Sequence, residues 1–129
     1  MKCLDTDILV AILRGEKEVQ GIAESLDVEG QVYTTVINAF EILFGAKKSN
    51  NIENISETRK LLAKLSVIGM ELESAENASD IHAILSKQGK SIDFRDLFIG
   101  AIVKSNGLKL ITRNHKHFSR IQGLQIEKW

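Results

Sequence analysis

Three carboxylates, Asp5, Glu41 and Asp96, stand where an apolar element begins or where an apolar helix face should continue. An ionised carboxylate inside a protein costs several kcal/mol unless it is paired or bound to a metal ion. No Lys or Arg adjoins Asp5 or Glu41 in the sequence. Acids that converge on one cleft repel each other, and a hard cation with a preference for oxygen ligands relieves that repulsion. These residues therefore predict a site for Mg²⁺ or Mn²⁺.

Simpler roles exist for some of the acids, and they remain open alternatives. Asp5, Thr6 or Asp7 could merely cap a helix, an interaction that contributes about 1 kcal/mol. Asp93 is predicted to be a helix cap, whereas Asp96 precedes a wholly apolar helix and is assigned to the site. A pair of histidines, His115 and His117, would be a weak zinc site because the sequence offers no matching ligands.

The first acid lies at a junction between two elements. Residues 2–4 predict a short buried strand, and Ile8, Leu9, Ile12 and Leu13 recur at helical spacing, so the backbone changes state near Asp5. In an open α/β sheet, ligands bind in the crevice beyond the carboxyl ends of the parallel strands. Asp5 is therefore predicted to face that crevice.

The other elements follow from apolar periodicity and from polar or glycine breaks. Helices are predicted over 19–26 with an end at Gly30, over 36–44 with Thr35 as cap and a polar loop over 47–51, from a cap at Ser56 through Leu65, over 73–87, and over 97–103. Strands are predicted near 32–34, 67–72, 108–112 and 124–129, with a turn or short helix over 114–119. This alternation predicts an α/β fold in which residues 1–129 form one domain, a three-layer α/β/α sandwich with a short, mainly parallel sheet of four or five strands.

Composition narrows the classes of partner and compartment. Seventeen basic residues balance seventeen acidic ones, so no overall positive field could hold a nucleic acid. The single cysteine, Cys3, excludes an intrachain disulfide and favours a reducing cytosol. A cleavable leader and an apolar run near 18 residues are both missing, which predicts a cytoplasmic protein outside the membrane.

Four motifs together resemble the PIN-domain ribonucleases of the VapC toxin group over nearly the whole chain. The motifs are Leu4-Asp5-Thr6-Asp7-Ile8-Leu9; Thr34-Thr35-Val36 with Phe40-Glu41-Ile42-Leu43-Phe44-Gly45; Asp96-Leu97-Phe98-Ile99-Gly100-Ala101; and Leu110-Ile111-Thr112-Arg113-Asn114 with Phe118 and Gly123-Leu124. The resemblance implies a metal-dependent endoribonuclease, the toxin of a toxin–antitoxin pair, with Asp5, Glu41 and Asp96 as its first three acids.

The resemblance also implies an RNA substrate, a VapB-like antitoxin and a homodimer. Thr6, Thr112, Arg113, Asn114 and His117 are candidates to position a water molecule or the scissile phosphate, and the guanidinium of Arg113 matches phosphate geometry. The dimer has a modest hint in the apolar residues of two successive helices, which are Phe40, Leu43, Phe44, Leu61, Leu62 and Leu65.

Two departures from the family pattern keep alternatives open. Asp7 stands where the family often has Asn, and the usual positions of a fourth acid hold Asn114 and His117. The missing acid leaves open whether a second metal binds, and it motivates the alternative of an inactive PIN module that binds RNA or protein. The motif Asp5-Thr6-Asp7 also resembles the nucleophile motif of haloacid-dehalogenase-like phosphatases, although Leu9 departs from that motif.

Overall fold

The computed structural model describes residues 1–28 and 31–129, which form a five-stranded sheet and seven α-helices. The predicted helix end at Gly30 lies outside the described residues. The strands are β1 (Lys2–Leu4), β2 (Tyr33–Thr35), β3 (Ser66–Ile68), β4 (Lys109–Thr112) and β5 (Gln125–Lys128). The helices are α1 (Thr6–Leu13), α2 (Gln20–Val28), α3 (Val36–Lys48), α4 (Ile52–Ala63), α5 (Leu72–Lys87), α6 (Phe94–Ser105) and α7 (His115–Phe118), with a 3₁₀ turn at Lys17–Val19.

The sheet has the order β3-β2-β1-β4-β5, and every neighbouring pair is parallel. β1 is the central strand, where Cys3 pairs with Tyr33 of β2 on one side and with Leu110 of β4 on the other. This topology confirms the predicted parallel sheet and places β5 at an edge. Because all five strands run in one direction, their carboxyl ends meet at one edge of the sheet.

Alternate residues of the central strands bury themselves on opposite faces of the sheet, as the period of a strand requires. Cys3 and Leu110 point into a core formed with α5 and α6, whereas Leu4 and Ile111 point into a core formed with α1, α2 and α4. All four side chains are at most 1% exposed. The two cores confirm the predicted three-layer α/β/α sandwich.

Helix α6 is more buried than α5, which packs in the same core, as the uniform apolarity of α6 predicted. Leu97 and the run 99–103 are buried, and Asp93 caps the helix by accepting a hydrogen bond from the backbone N–H of Arg95 at 2.8 Å. The cap predicted at Asp93 is therefore confirmed. Among the described residues, no helix combines the length and the apolarity needed to cross a membrane.

Three predicted boundaries are wrong. Helix α3 continues through Gly45 to Lys48, since basic residues stabilise a helix C-terminus. Helix α4 begins at Ile52 because the Asn51 side chain accepts hydrogen bonds from two free N–H groups, so Ser56 lies inside the helix. Leu72 opens α5 and does not continue the strand, which ends at Ile68.

Candidate active site

Asp5 occupies the junction between β1 and α1, at the carboxyl edge of the central strand. Its backbone N–H donates to the carbonyl of Ile111 at 3.0 Å, which extends the pairing of β1 with β4 by one residue. Its carboxylate accepts the backbone N–H of Thr6 at 2.8 Å and so caps α1. The helix-cap role and the location at the crevice are therefore both properties of this residue.

The Asp5 carboxylate is also fixed by side chains from two other elements. Asn38 of α3 donates from Nδ2 to Asp5 Oδ1 at 3.0 Å, and Thr112 at the end of β4 donates from Oγ1 to Asp5 Oδ2 at 2.6 Å. Asp5 is only 5% exposed, and Asn38 and Thr112 are fully buried. Asp5, Thr6, Asn38 and Thr112, together called the Asp5 cluster below, thus join β1, α1, α3 and β4 through one carboxylate.

Asn38 is the member of this cluster that the sequence analysis missed. Its Oδ1 accepts the backbone N–H of Thr35 at 3.3 Å, and its own N–H donates to Thr35 Oγ1 at 3.2 Å, which completes a reciprocal cap of α3. A capping box normally carries Glu or Gln at this position. An Asn three residues after Thr35, on a helix with apolar neighbours, was the available signal.

Burial raises the pKa of the Asp5 carboxyl from 3.8 to about 6. The negative charges of Asp7 and Asp96 raise this pKa further, whereas the hydrogen bonds from Thr112 and Thr6 lower it. Asp96 lies 91 residues from Asp5 in the sequence, so its charge reaches Asp5 only because the fold brings the first turn of α6 near the carboxyl end of β1. The local surplus of negative charge is the electrostatic property that a cation would relieve.

Glu41 of α3 approaches the same crevice from the neighbouring helix. Its Oε1 accepts a hydrogen bond from Thr6 Oγ1 at 2.8 Å, so one residue separates it from the Asp5 carboxylate along the chain of hydrogen bonds. Its Oε2 lies 3.7 Å from Nη1 of Arg95. The Glu41 side chain is 22% exposed, so it is turned largely toward the protein, as its position on the helix predicted.

Asp96, in the first turn of α6, forms the opposite wall with α7 and the loop before it. Its Oδ2 lies 3.4 Å from Nδ1 of His117 and accepts a hydrogen bond from Nδ2 of Asn114 at 3.5 Å. Burial raises the pKa of the Asp96 carboxyl above its ordinary value, while the hydrogen bond from His117 lowers it. The two residues at the usual positions of a fourth acid therefore both contact the third acid.

Asp7 and Arg113 organise the end of β4 from outside the Asp5 cluster. Asp7 Oδ2 accepts the backbone N–H of Arg113 at 3.0 Å, and its Oδ1 is buried without a hydrogen-bond partner among the described residues. The guanidinium of Arg113 lies 3.2 Å from Glu16 and 3.7 Å from Glu18, next to the 3₁₀ turn. Asp7 therefore holds the backbone at the end of β4, and Arg113 is paired with two acids outside the predicted metal ligands.

The donor atoms around the crevice fit a hard divalent cation in chemistry, since they are carboxylate oxygens supported by hydroxyl and amide groups. The carboxylates belong to the predicted ligands Asp5, Glu41 and Asp96, and Asn114 adds an amide. Within residues 1–28 and 31–129, however, no three His, Cys, Asp or Glu side chains stand close enough together to hold a metal ion. Thr6 links Asp5 to Glu41 through hydrogen bonds, and the charge of Asp96 acts on Asp5. The three predicted acids nevertheless do not form a closed set of ligands.

Known proteins resemble this chain both in sequence and in fold. The chain belongs to the PIN-domain family, whose PIN domain it matches over residues 2–124. It is 31% identical over 127 residues to the ribonuclease VapC2 of Haemophilus influenzae, a match that covers 98% of this chain and 96% of the relative. Within the PIN-domain family it is therefore of the VapC type.

Two further relatives agree with that assignment. The chain is 26% identical over 128 residues to the tRNA(fMet)-specific endonuclease VapC of Shigella flexneri, which covers 98% of this chain and 96% of the relative. It also resembles a chain in the crystal structure of VapBC2 from Rickettsia felis bound to a promoter DNA fragment, with 25% identity, a TM-score of 0.90 and coverage of 99% and 98% of the two chains. The family match confirms the resemblance seen in the four motifs and leaves the phosphatase alternative without support.

Proposed function

We propose that this protein is a divalent-metal-dependent endoribonuclease and the toxin of a toxin–antitoxin pair, with Asp5, Glu41 and Asp96 as the ligands of Mg²⁺ or Mn²⁺. The observation that carries the proposal is the buried Asp5 carboxylate, held by three elements at the carboxyl edge of β1 with the charge of Asp96 close by. Its VapC relatives from Haemophilus influenzae and Shigella flexneri are named as a ribonuclease and an endonuclease. PIN-domain ribonucleases in general depend on a divalent metal.

In the proposed enzyme, neighbouring side chains orient the three acids. Asn38 and Thr112 fix both oxygens of Asp5, so its carboxylate cannot rotate away from the crevice. Thr6 holds Glu41 by one oxygen and leaves the other oxygen to Arg95. When bound, a divalent cation neutralises charge on a phosphodiester and promotes its attack by water.

Asn114 and His117 complete the arrangement on the side of Asp96. Both contact the same oxygen, Asp96 Oδ2, and they also lie 3.3 Å from each other through Asn114 Nδ2 and His117 Nδ1. The backbone N–H of Asn114 donates to Thr112 Oγ1 at 2.9 Å, which connects this group to the Asp5 cluster. Asn114 and His117 are suited to orient Asp96 and a water molecule beside it. Thr112 is the last residue of β4 and Arg113 follows it, so both lie at the carboxyl end of that strand.

The proposed activity is tested with a mixed single-stranded RNA and a small phosphate ester as substrates, each with Mg²⁺, with Mn²⁺ and with excess EDTA. The proposal expects internal cleavage of RNA that requires either metal, together with little hydrolysis of the ester. Cleavage that persists in EDTA would refute the metal dependence. RNA binding without any cleavage under all conditions would instead favour the alternative of an inactive PIN module.

A VapB-like antitoxin is the protein partner that we propose, because several solved relatives are VapBC complexes. A groove of about 510 Å³ between α1, α3 and α4 begins beside Glu41. Its lining includes apolar residues such as Leu13 and Ile42, the acids Glu41, Glu53 and Glu57, and one basic residue, Arg14, so acids outnumber bases. An apolar segment with basic side chains is complementary to such a lining.

The antitoxin proposal makes a claim about charge that can be measured. Glu41→Gln and Glu53→Gln should each weaken binding of the purified cognate antitoxin, and the loss should shrink at high salt because exposed charges are screened. Glu73→Gln on α5 is the matched control at another exposed acid. Equal affinity of wild type and both groove variants at low and high salt would contradict this mode of binding.

A homodimer is the proposed oligomeric state, and its six hinted residues differ in exposure, with Leu43 and Leu62 partly buried. Phe40 and Phe44 are 59% and 56% exposed and stack with ring centroids 6.1 Å apart, whereas Leu61 and Leu65 are buried in the core. The two phenylalanines therefore expose the most apolar surface to the proposed interface. We expect sedimentation to give a dimer for wild type and a monomer for Phe40→Ser/Phe44→Ser; a wild-type monomer at high micromolar concentration would exclude the dimer.

The cytoplasm is the proposed compartment, as the sequence predicted. Its support is Cys3, a free cysteine that is fully buried in β1. Burial raises the pKa of the Cys3 thiol, which keeps it protonated and unreactive. This residue therefore has the environment of a core side chain and needs no oxidising compartment.

A further inference from the structure

A neutral protein that cleaves RNA needs positive charge at the place where the phosphate backbone enters. Here the crevice and its rim carry five carboxylates, belonging to Asp5, Asp7, Glu41, Asp93 and Asp96, and the chain as a whole has equal numbers of acidic and basic residues. A bound metal ion would offset part of this charge near the scissile bond only. Neighbouring phosphates would still meet a negative surface unless a basic side chain lies at the rim.

Arg95 and Arg113 each form ion pairs beside the crevice, and the environments of these two arginines differ. The Arg113 guanidinium contacts Glu16 and Glu18, on the side of the 3₁₀ turn, and is 34% exposed. The Arg95 guanidinium lies 3.7 Å from Glu41 and 3.2 Å from Asp93 and is 59% exposed. Arg95 therefore contacts one of the proposed metal ligands and adjoins another, Asp96, in the sequence.

We infer that Arg95 binds the phosphate backbone of RNA at the rim of the acid crevice, and that Asp93 and Glu41 hold its guanidinium there before RNA binds. The inference rests on the proposed ribonuclease function and adds to it a residue that the sequence analysis did not single out. Exposed ion pairs contribute little to stability, so the guanidinium can exchange a carboxylate partner for a phosphate at small cost. A guanidinium also offers two parallel N–H groups to phosphate oxygens, which an ammonium group cannot do.

The test measures RNA binding apart from cleavage. All variants carry Asp5→Asn to prevent turnover, and the probe is a fluorescein-labelled single-stranded RNA of mixed sequence, titrated at several NaCl concentrations in a buffer with Mg²⁺. Arg95→Gln should weaken binding by roughly three- to tenfold at low salt and should reduce the slope of log Kd against log salt by about 0.7, the value for one lost phosphate contact on a single strand. Arg95→Lys should keep the slope and weaken binding less.

Two further variants separate phosphate binding from a merely structural role. Arg59→Gln removes an exposed arginine of α4 and should change neither the affinity nor the slope. Asp93→Asn keeps the capping oxygen of α6 but removes a competing negative charge beside Arg95, so it should tighten RNA binding. If Arg95 only stabilised the local structure, Arg95→Gln and Asp93→Asn would both weaken binding.

The inference is overturned if Arg95→Gln binds RNA with the affinity and slope of its parent, or if Asp93→Asn weakens binding as much as Arg95→Gln does. In either case wild-type cleavage of RNA would still support the proposed function, and only the role of Arg95 would fail. If wild type neither cleaves nor binds RNA with either metal, both proposals fail together.

Discussion

The two parts of the acid crevice are built in different ways. In the Asp5 cluster, one carboxylate is nearly inaccessible and each of its oxygens accepts hydrogen bonds from groups that the fold fixes in place. At the rim, Glu41 and Asp96 are each 22% exposed, and the side chains of their partners Arg95 and His117 are about half exposed. The cluster is thus part of the core, whereas the rim belongs to the surface.

This difference indicates that the Asp5 carboxylate is held in one position, whereas the acids at the rim can adjust theirs. The Asp5 carboxylate occupies one place because moving it would break the cap of α1 and leave buried groups on α3 and β4 without partners. If a cation took the place of Arg95 and His117 as their partners, Glu41 and Asp96 would be free to move toward Asp5, since exposed pairs are weak. A crevice whose acids are not yet gathered can therefore still become a metal site.

The largest expected effect is loss of cleavage in Asp5→Asn, because this variant removes the one carboxylate that the fold holds in place. The amide has nearly the same volume and can still accept the hydrogen bond from Thr6, so the fold should persist. We expect metal-dependent RNA cleavage to fall by about a thousandfold. Asp80→Asn, an exposed acid of α5, is the control, and near-normal cleavage by Asp5→Asn would remove it from the site.

The next effect concerns stability. Asn38→Ala should lower the free energy of unfolding by about 2–3 kcal/mol, since it leaves the buried Thr35 N–H and one oxygen of Asp5 with fewer partners. Urea denaturation measures this loss, with the exposed Asn54→Ala of α4 as the control. A loss below about 0.5 kcal/mol, the level typical of surface positions, would show that the Asp5 cluster does not depend on Asn38.

A smaller effect on cleavage is expected for Glu41→Gln at the rim. The amide can still accept the hydrogen bond from Thr6, and the side chain is free to shift, so we expect a tenfold to hundredfold loss. The loss of cleavage in Asp5→Asn should exceed the loss in Glu41→Gln, because only the Asp5 carboxylate is held in place by the fold. Equal losses in single-turnover cleavage would mean that the rim is as rigidly organised as the cluster.

The smallest expected effect is a pH dependence of the free energy of unfolding that is caused by Asp5 and is measured without metal. A folded-state pKa raised to about 6 from 3.8 means that the stability contributed by protonated Asp5 is complete below pH 3.8 and is lost as the pH rises through 6. Asp5→Asn does not titrate, so its stability relative to wild type should increase by about 2 kcal/mol between pH 4 and pH 7.5 in EDTA. A difference that is constant with pH would show that the folded-state pKa is not raised.

Sequence reasoning singled out the parts of the candidate site that depend on local pattern. The change from strand to helix marked Asp5, an acid on an inward helix face marked Glu41, and an acid before a wholly apolar helix marked Asp96. Each of these signals lies within about a turn of the residue itself, which is why a single sequence could reveal it.

The features that sequence reasoning missed depend on contacts between distant segments. Arg95 meets Glu41 across 54 residues, and Asn38 meets Asp5 across 33, and nothing in either local pattern announces a partner. The misplaced boundary of α4 has a different cause: Asn51 and Ser56 are both good caps, and it is the Asn51 side chain that accepts hydrogen bonds from the backbone N–H groups of Glu53 and Asn54. Likewise, exposure of Phe40 and burial of Leu61 follow from how α3 and α4 pack on the sheet.

The most direct test of the central claim is a titration of the metal-free protein with Mn²⁺ and Mg²⁺, followed by its melting temperature. If Asp5, Glu41 and Asp96 gather around a cation, saturating metal should raise the melting temperature of wild type by about 3–8 °C, because binding to the native state alone stabilises it. Asp5→Asn and Asp96→Asn should lose most of that increase, and Asp80→Asn should keep it. An unchanged melting temperature in wild type, or an equal increase in Asp5→Asn, would contradict a metal site formed by these acids.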